Sequence, residues 1–93
     1  MSTTYRVMLH GMNFRLKRYL LTHRYGFYTT RFVQAASEKE AEQLATGMVR
    51  QDSYLLKRLR NEPSDSPMIY LDDMEIWEDD LPAPNIGFTF YRY

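Results

Sequence analysis

Cysteine is absent from the 93-residue sequence, which excludes disulfide bonds, thiolate metal sites, iron–sulfur clusters and cysteine nucleophiles. Glycine is scarce, and its four residues are isolated from one another, so there is no glycine-rich loop that would bind a phosphate. No apolar run approaches the length of a membrane span, and the N-terminal residues lack the apolar core of a signal peptide. We therefore expect a cytoplasmic protein without a membrane partner.

Motifs that would define a catalytic site are also missing. The serines stand near the N-terminus, at a helix start and in turns, and none lies in a G-x-S-x-G elbow. His10 and His23 lack a partner at metal-binding spacing, and the acids near Asp72 lack the spacing and glycine of an EF-hand. An acidic sheet edge that discourages strand addition explains those acids more simply. We expect no enzymatic activity, no metal and no cofactor.

Acidic residues are absent from residues 1–36, which carry six basic residues. Residues 62–93 carry eight acids against Arg92, so a sequence with zero net charge has oppositely charged ends. Such a split indicates either a basic patch for a polyanion or two halves that lie side by side in one sheet and neutralise each other. We favour the second interpretation.

Residues 37–61 form the only segment long and periodic enough to predict a helix with both ends marked. Ser37 and Glu40 have the spacing of a capping box. Apolar residues recur on one helical face, namely Ala41, Leu44, Ala45, Met48, Leu55, Leu56 and Leu59. Asp52 falls within that face, where an unpaired carboxylate is costly. Either Asp52 caps a second short helix over residues 53–60 or it is paired beneath one helix; we favour the break, since Asp-Ser suits an N-cap.

Two strand-like segments lie on each side of the helical segment. The first alternates from Tyr5 to Leu9, and its apolar residues change parity after Gly11, which predicts a β-bulge near residues 11–13. Residues 17–25 have no clean period, and we expect a long, mobile hairpin tip there. The other strands are predicted over residues 26–36, 68–76 and 87–93, with an acidic, proline-containing corner over residues 77–85.

These segments predict a single α+β domain over residues 1–93, with the order ββαββ. Its four-stranded, mostly antiparallel sheet would carry one helix, broken or continuous, on one face. The expected core set is Tyr5, Val7, Leu9, Ile69, Leu71, Phe88 and Phe90. The opposite face stays uncovered, and the candidate interface residues expected there are Met8, Tyr28, Tyr70, Tyr91 and Tyr93.

The uncovered face allows two interpretations. Tyrosines often stand half-exposed on antiparallel sheets without binding anything. A face rich in tyrosine and methionine also suits a partner, because these side chains offer a large contact area with an adaptable or polar end. We favour a non-enzymatic protein-interaction module that self-associates as a homodimer, through the tyrosine-bearing face or the edge from Tyr70 to Trp77, or that contacts another protein.

A second hypothesis concerns the basic first hairpin. The candidate polyanion-binding residues are Arg15, Lys17, Arg18, Arg24 and Arg31, with aromatic residues interleaved among them. Cations neutralise phosphates and aromatic rings stack on bases, so nucleic-acid binding by residues 15–31 is the alternative function. The sequence lacks the signatures of RRM and KH domains and any net positive charge, which weighs against it.

Four stretches carry a family resemblance: NFRL, GFYTTRFVQAASEKEAEQLA, DSPMIYLDDMEIWED and GFTFY. Through them the chain resembles a family of small, uncharacterised bacterial proteins over most of its length, from Tyr5 to Tyr91. In such proteins a GFYTTRFV strand enters an Ala/Glu-rich helix, and an acidic strand follows. The resemblance implies this element order and a bacterial cytoplasmic setting. It implies no catalytic or binding residues, because no function is assigned to the family.

Overall fold

One antiparallel sheet and two short helices make up the fold in a computed structural model, which describes residues 3–78, 85 and 87–93. In chain order the elements are β1 (Thr3–Arg18), β2 (Leu21–Ala35), α1 (Glu38–Arg50), α2 (Ser53–Arg58), β3 (Met68–Ile76) and β4 (Thr89–Arg92). The strands lie in the order β3-β1-β2-β4, and the helices pack on one face. The predicted α+β class and the ββαββ order are confirmed. Most of the predicted acidic corner lies outside the described residues.

The helical segment is broken at Asp52, as predicted. Ser37 caps α1 by accepting a hydrogen bond from the Glu40 amide at 3.2 Å. Asp52 caps α2 in the same way, because its Oδ1 accepts a hydrogen bond from the Leu55 amide at 3.1 Å. A carboxylate that one continuous helix would have turned toward the core instead satisfies backbone donors at a helix start.

The β1–β2 hairpin is the longest feature of the fold. Its strands pair from Thr3 opposite Ala35 to Arg18 opposite Leu21, and the register shifts between Gly11 and Phe14. The predicted bulge is therefore confirmed. The expected long, mobile tip over residues 17–25 is wrong, because regular pairing continues to a two-residue turn. Apolar alternation resumes after the bulge and keeps this end of the hairpin packed, with Leu16 fully buried.

The core lies between the helices and the sheet face that they cover. Phe27 is 0% exposed at its centre, with ring centroids 4.8 Å from Phe14 and 4.9 Å from Phe88. Gly11 lies directly against this ring, since a Cβ there would stand 2.3 Å from Phe27 Cζ. Leu71, expected in the core, is 41% exposed, because the helices lie mainly across the two central strands and leave much of β3 uncovered.

Candidate functional site

The sheet face opposite the helices, called the open face below, carries every candidate interface residue. Strand alternation places Met8 and His10 of β1 on this face, and His10 pairs with Tyr28 on β2 and with Tyr70 on β3. The open face comprises Arg6, Met8, His10, Arg15, Lys17, Arg24, Tyr28, Thr30, Phe32, Tyr70, Asp73, Glu75, Trp77, Tyr91 and Tyr93. Its tyrosines are half-buried to exposed, so large rings remain accessible to a partner.

An aromatic cluster occupies the middle of the open face. The His10 ring stacks on Tyr28 with centroids 4.3 Å apart and planes within 10°. Tyr91 shares a hydrogen bond with His10 through its hydroxyl and lies tilted against Tyr93 at 5.9 Å. Tyr91 can lie flat over the sheet only because residue 26 is glycine, since a Cβ there would stand 2.2 Å from its ring.

Tyr91 of this cluster favours its neutral form. Desolvation raises the pKa of Tyr91 above its ordinary value, and the neighbouring Tyr28 and Tyr93 hydroxyls add to this effect. The Tyr93 hydroxyl accepts a hydrogen bond from the backbone amide of Asn13 at 2.6 Å, within the bulge. The cluster is therefore a pre-ordered surface whose tyrosine hydroxyls already take part in hydrogen bonds to His10 and to the backbone of the bulge.

Charged residues flank the aromatic cluster with opposite signs. Arg15 and Arg24 stand directly opposite each other near the hairpin turn, and Lys17 follows on the same face. At the other end, Asp73 pairs in register with Met8, and Glu75 pairs with Arg6, whose Nε donates to its carboxylate at 2.8 Å. The open face therefore runs from a basic end through an aromatic middle to an acidic end.

Two candidate polyanion-binding residues lie elsewhere. Arg18 is on the helix-covered side, where its Nε donates to the Tyr54 hydroxyl at 2.9 Å and its guanidinium lies 4.4 Å from the centre of the Phe90 ring. Arg31 is 1% exposed and donates hydrogen bonds to the Thr29 hydroxyl and to the Gly87 carbonyl. The structure thus brings together only part of the predicted set.

Burial controls the electrostatics of Arg31. Desolvation lowers its pKa, and the charge of Asp52 at the helix break partly opposes that effect. The position was readable from the sequence, since Arg31 has the same strand parity as Phe27 and Val33, which are both buried. Its interpretation as a surface cation followed residue type and overlooked that parity.

Two further features were not among the predicted site residues, although one of them includes Trp77 from the alternative contact edge, Tyr70 to Trp77. At the acidic end, the Phe32 and Trp77 rings meet edge to face at 5.2 Å, beneath the Arg6 guanidinium. At the opposite end, the hairpin turn exposes Tyr19 and Leu20 almost completely. Trp77 could have been assigned by parity with Glu75, whereas the turn was concealed by the irregular period of residues 17–25.

Among the described residues, no group of three or more His, Asp and Glu side chains is arranged to hold a metal ion. None of the described helices is long and apolar enough to span a membrane. Comparisons with protein-family models, curated proteins and solved structures gave no match. The resemblance to a bacterial family therefore stays a prediction, and the open face is the basis for a proposal about function.

Proposed function

We propose that the protein acts through protein contact, as a homodimer whose protomers face each other across their open faces. The symmetric placement of charge on the open face carries this proposal. Along β2, Arg24 lies three residues from Phe27 toward the turn, and Arg15 is its partner on β1. Thr30 lies three residues from Phe27 in the other direction, and its row contains Asp73.

The same symmetry holds two residues farther out. Thr22 lies five residues from Phe27 toward the turn, and its partner on β1 is Lys17. Phe32 lies five residues away in the other direction, and its row contains Glu75. Basic and acidic side chains therefore stand at matched distances of roughly 10 and 17 Å from the Phe27 row, at about 3.3 Å per residue.

Consider a two-fold axis that runs perpendicular to the strands, between two facing sheets, at the level of Phe27. This axis places the basic end of each open face opposite the acidic end of its partner. Each protomer's Arg15 then lies near the partner's Asp73, and its Lys17 lies near the Glu75 carboxylate of the partner's Arg6–Glu75 ion pair. Each contact occurs twice, as an isologous interface requires. Facing sheets cross at about 30°, which displaces residues far from the axis sideways relative to the partner. The long side chains of arginine and lysine can span that displacement.

The aromatic cluster would form the centre of the same interface. His10 and Tyr28 lie one residue to one side of the Phe27 row, and Tyr91 pairs with Gly26 one residue to the other side. The two-fold axis therefore places the His10–Tyr28 stack opposite the partner's Tyr91. Aromatic residues at the centre and charges at the rim are typical of specific interfaces.

The size of the open face also suits a stable dimer. The molecule is 44 Å long, and strands about 4.8 Å apart give the sheet a width of roughly 15 Å over much of that length. The face therefore offers on the order of 700 Å² per protomer, close to the roughly 800 Å² per partner of a standard interface.

Charge reversal at one contact tests the proposal. Arg15→Glu or Asp73→Lys alone would create two like-charge contacts per dimer. We therefore expect the dissociation constant of each variant's dimer to rise by about tenfold or more. An equimolar mixture should recover wild-type association, because the heterodimer has complementary charges at both contacts. Sedimentation velocity at one total concentration measures all three samples.

The control variants reverse a charge outside the open face. Lys39→Glu on α1 and Glu62→Lys in the loop after α2 are exposed positions, and both should associate like the wild type. Arg15→Glu should leave the fold intact, since the new carboxylate faces Arg24 across the strands. A mixture that stays as weakly associated as its components would contradict the proposed geometry.

A single-stranded nucleic acid is the second candidate partner. The observation in its favour is that Arg15, Lys17 and Arg24 lie on the same face as Tyr91 and Tyr93. Under this candidate, fluorescence polarisation with a single-stranded oligonucleotide should show binding that falls steeply with salt and is lost on Arg15/Lys17/Arg24→Ala. An absence of binding at low salt would remove the candidate.

A further inference from the structure

The turn of the β1–β2 hairpin is an exposed apolar projection. Tyr19, Leu20 and Leu21 are 87%, 88% and 61% exposed. The neighbouring strands stop before this point, since β3 pairs with β1 only as far as Met12 and β4 pairs with β2 only as far as Tyr25. The hairpin therefore extends about 13 Å beyond its strand neighbours, at about 3.3 Å per residue.

The conformation of this turn is unfavourable for its residues. Tyr19 and Leu20 have φ values of 53° and 71°, in the left-handed region. Two-residue hairpin turns with positive φ at both positions favour Asn-Gly, and bulky side chains are rare there. Within the described protomer these side chains bury almost nothing in return. Strained, exposed apolar residues of this kind indicate a contact outside the protomer.

A complementary surface lies at the far end of the open face. Trp77 donates its backbone N–H to the Thr4 carbonyl at 2.8 Å, which places it in the row of Thr4 and Gln34. Gln34 lies seven residues from Phe27, and Leu20 lies seven residues from Phe27 in the other direction. The proposed two-fold axis therefore brings each turn to the partner's Trp77.

The chemistry of the two ends also matches. The turn is apolar, and Lys17 beside it lies on the open face. The far end presents the half-buried Phe32–Trp77 pair beside the Arg6–Glu75 ion pair, with Glu78 one residue after Trp77. An apolar projection beside a lysine thus faces an aromatic surface that carries two carboxylates and one arginine, at equal distances from the same axis.

We infer that the hairpin turn of each protomer docks on the Phe32–Trp77 pair of a second copy, and that this contact anchors the dimer. This inference rests on the proposed function and adds the anchoring residues to it. An anionic lipid surface would also suit an apolar turn with basic neighbours. The second copy is favoured because this chain carries the complementary surface at the symmetry-related position.

The double substitution Tyr19→Asn/Leu20→Gly separates docking from folding. It removes the anchor and installs the residues that the turn conformation favours, so association should weaken by roughly tenfold or more while the melting temperature of the dilute monomer rises. Trp77→Ala should weaken association to a similar extent. Combining the two sets of changes should add little, because both remove the same contact. Sedimentation velocity and thermal denaturation by circular dichroism give these values.

Each outcome has a defined meaning. If the wild type is monomeric throughout, the proposed function fails and this inference fails with it. If the wild type dimerises and the Asn-Gly variant dimerises equally well, the anchor is wrong and the homodimer stands. If the wild type floats with phosphatidylcholine–phosphatidylserine vesicles and the Asn-Gly variant does not, a lipid surface occupies the turn and the inference is overturned.

Discussion

Phe27→Ala is expected to lower the free energy of unfolding by about 3–5 kcal/mol, the usual range when a buried phenylalanine is truncated. Phe27 is 0% exposed and contacts the rings of Phe14, Phe88 and Phe90. Gly11 beneath the ring has no side chain to move into the vacated space. The cavity would therefore persist and add its cost to that of the lost apolar contacts.

Urea denaturation followed by circular dichroism measures this effect at a fixed, low protein concentration. Tyr70→Ala is the matched control, since Tyr70 is also an aromatic residue within a strand but is 47% exposed. We expect the control to cost about 1 kcal/mol or less. A loss below about 1 kcal/mol for Phe27→Ala would show that the core is not centred on this ring.

Arg31→Ala is expected to lower the free energy of unfolding by about 2–4 kcal/mol. The guanidinium donates hydrogen bonds to the Thr29 hydroxyl and to the carbonyls of Thr30 and Gly87, within the helix-covered layer. Alanine would remove these donated hydrogen bonds and leave a space as long as the arginine side chain, although the Gly87 carbonyl would still accept from the Thr29 hydroxyl at 2.7 Å. Asp52 at the helix break would also lose the cation whose charge it stabilises.

Arg31→Met distinguishes the contribution of packing from that of charge. Methionine restores much of the volume, and it removes the desolvation cost that lowers the pKa of Arg31. We therefore expect Arg31→Met to be more stable than Arg31→Ala by about 1 kcal/mol or more in the same urea experiment. Equal losses for the two variants would mean that hydrogen bonding alone explains the role of Arg31.

Local chemistry made several features predictable from the sequence. Asp52 could be assigned as the cap of a second helix. The alternative, one continuous helix, would have placed its carboxylate in the apolar face, where an unpaired charge is costly. The bulge was readable because the apolar parity changes after Gly11. The third strand follows its predicted bounds, Met68–Ile76, because turn residues precede it and strand-forming residues fill it.

Features that depend on tertiary packing were harder to predict. The hairpin continues beyond the bulge because Leu16 and Tyr25 bury their side chains there. Residues 17–25 have no hydrophobic periodicity from which this pairing could be predicted. Leu71 is exposed because the helices do not extend fully over β3, which no pattern within β3 could reveal. The open face was predictable as a tyrosine-bearing surface, but its opposite charged ends required the pairing register.

The central claim is that a second copy covers the open face, and the mass of the wild-type protein in solution tests it most directly. The chain has a mass of 11.2 kDa. Sedimentation equilibrium over a range of concentrations should show the average mass rising from this value to a plateau at twice the monomer mass. A mass that stays at 11.2 kDa up to the highest soluble concentration would contradict the account.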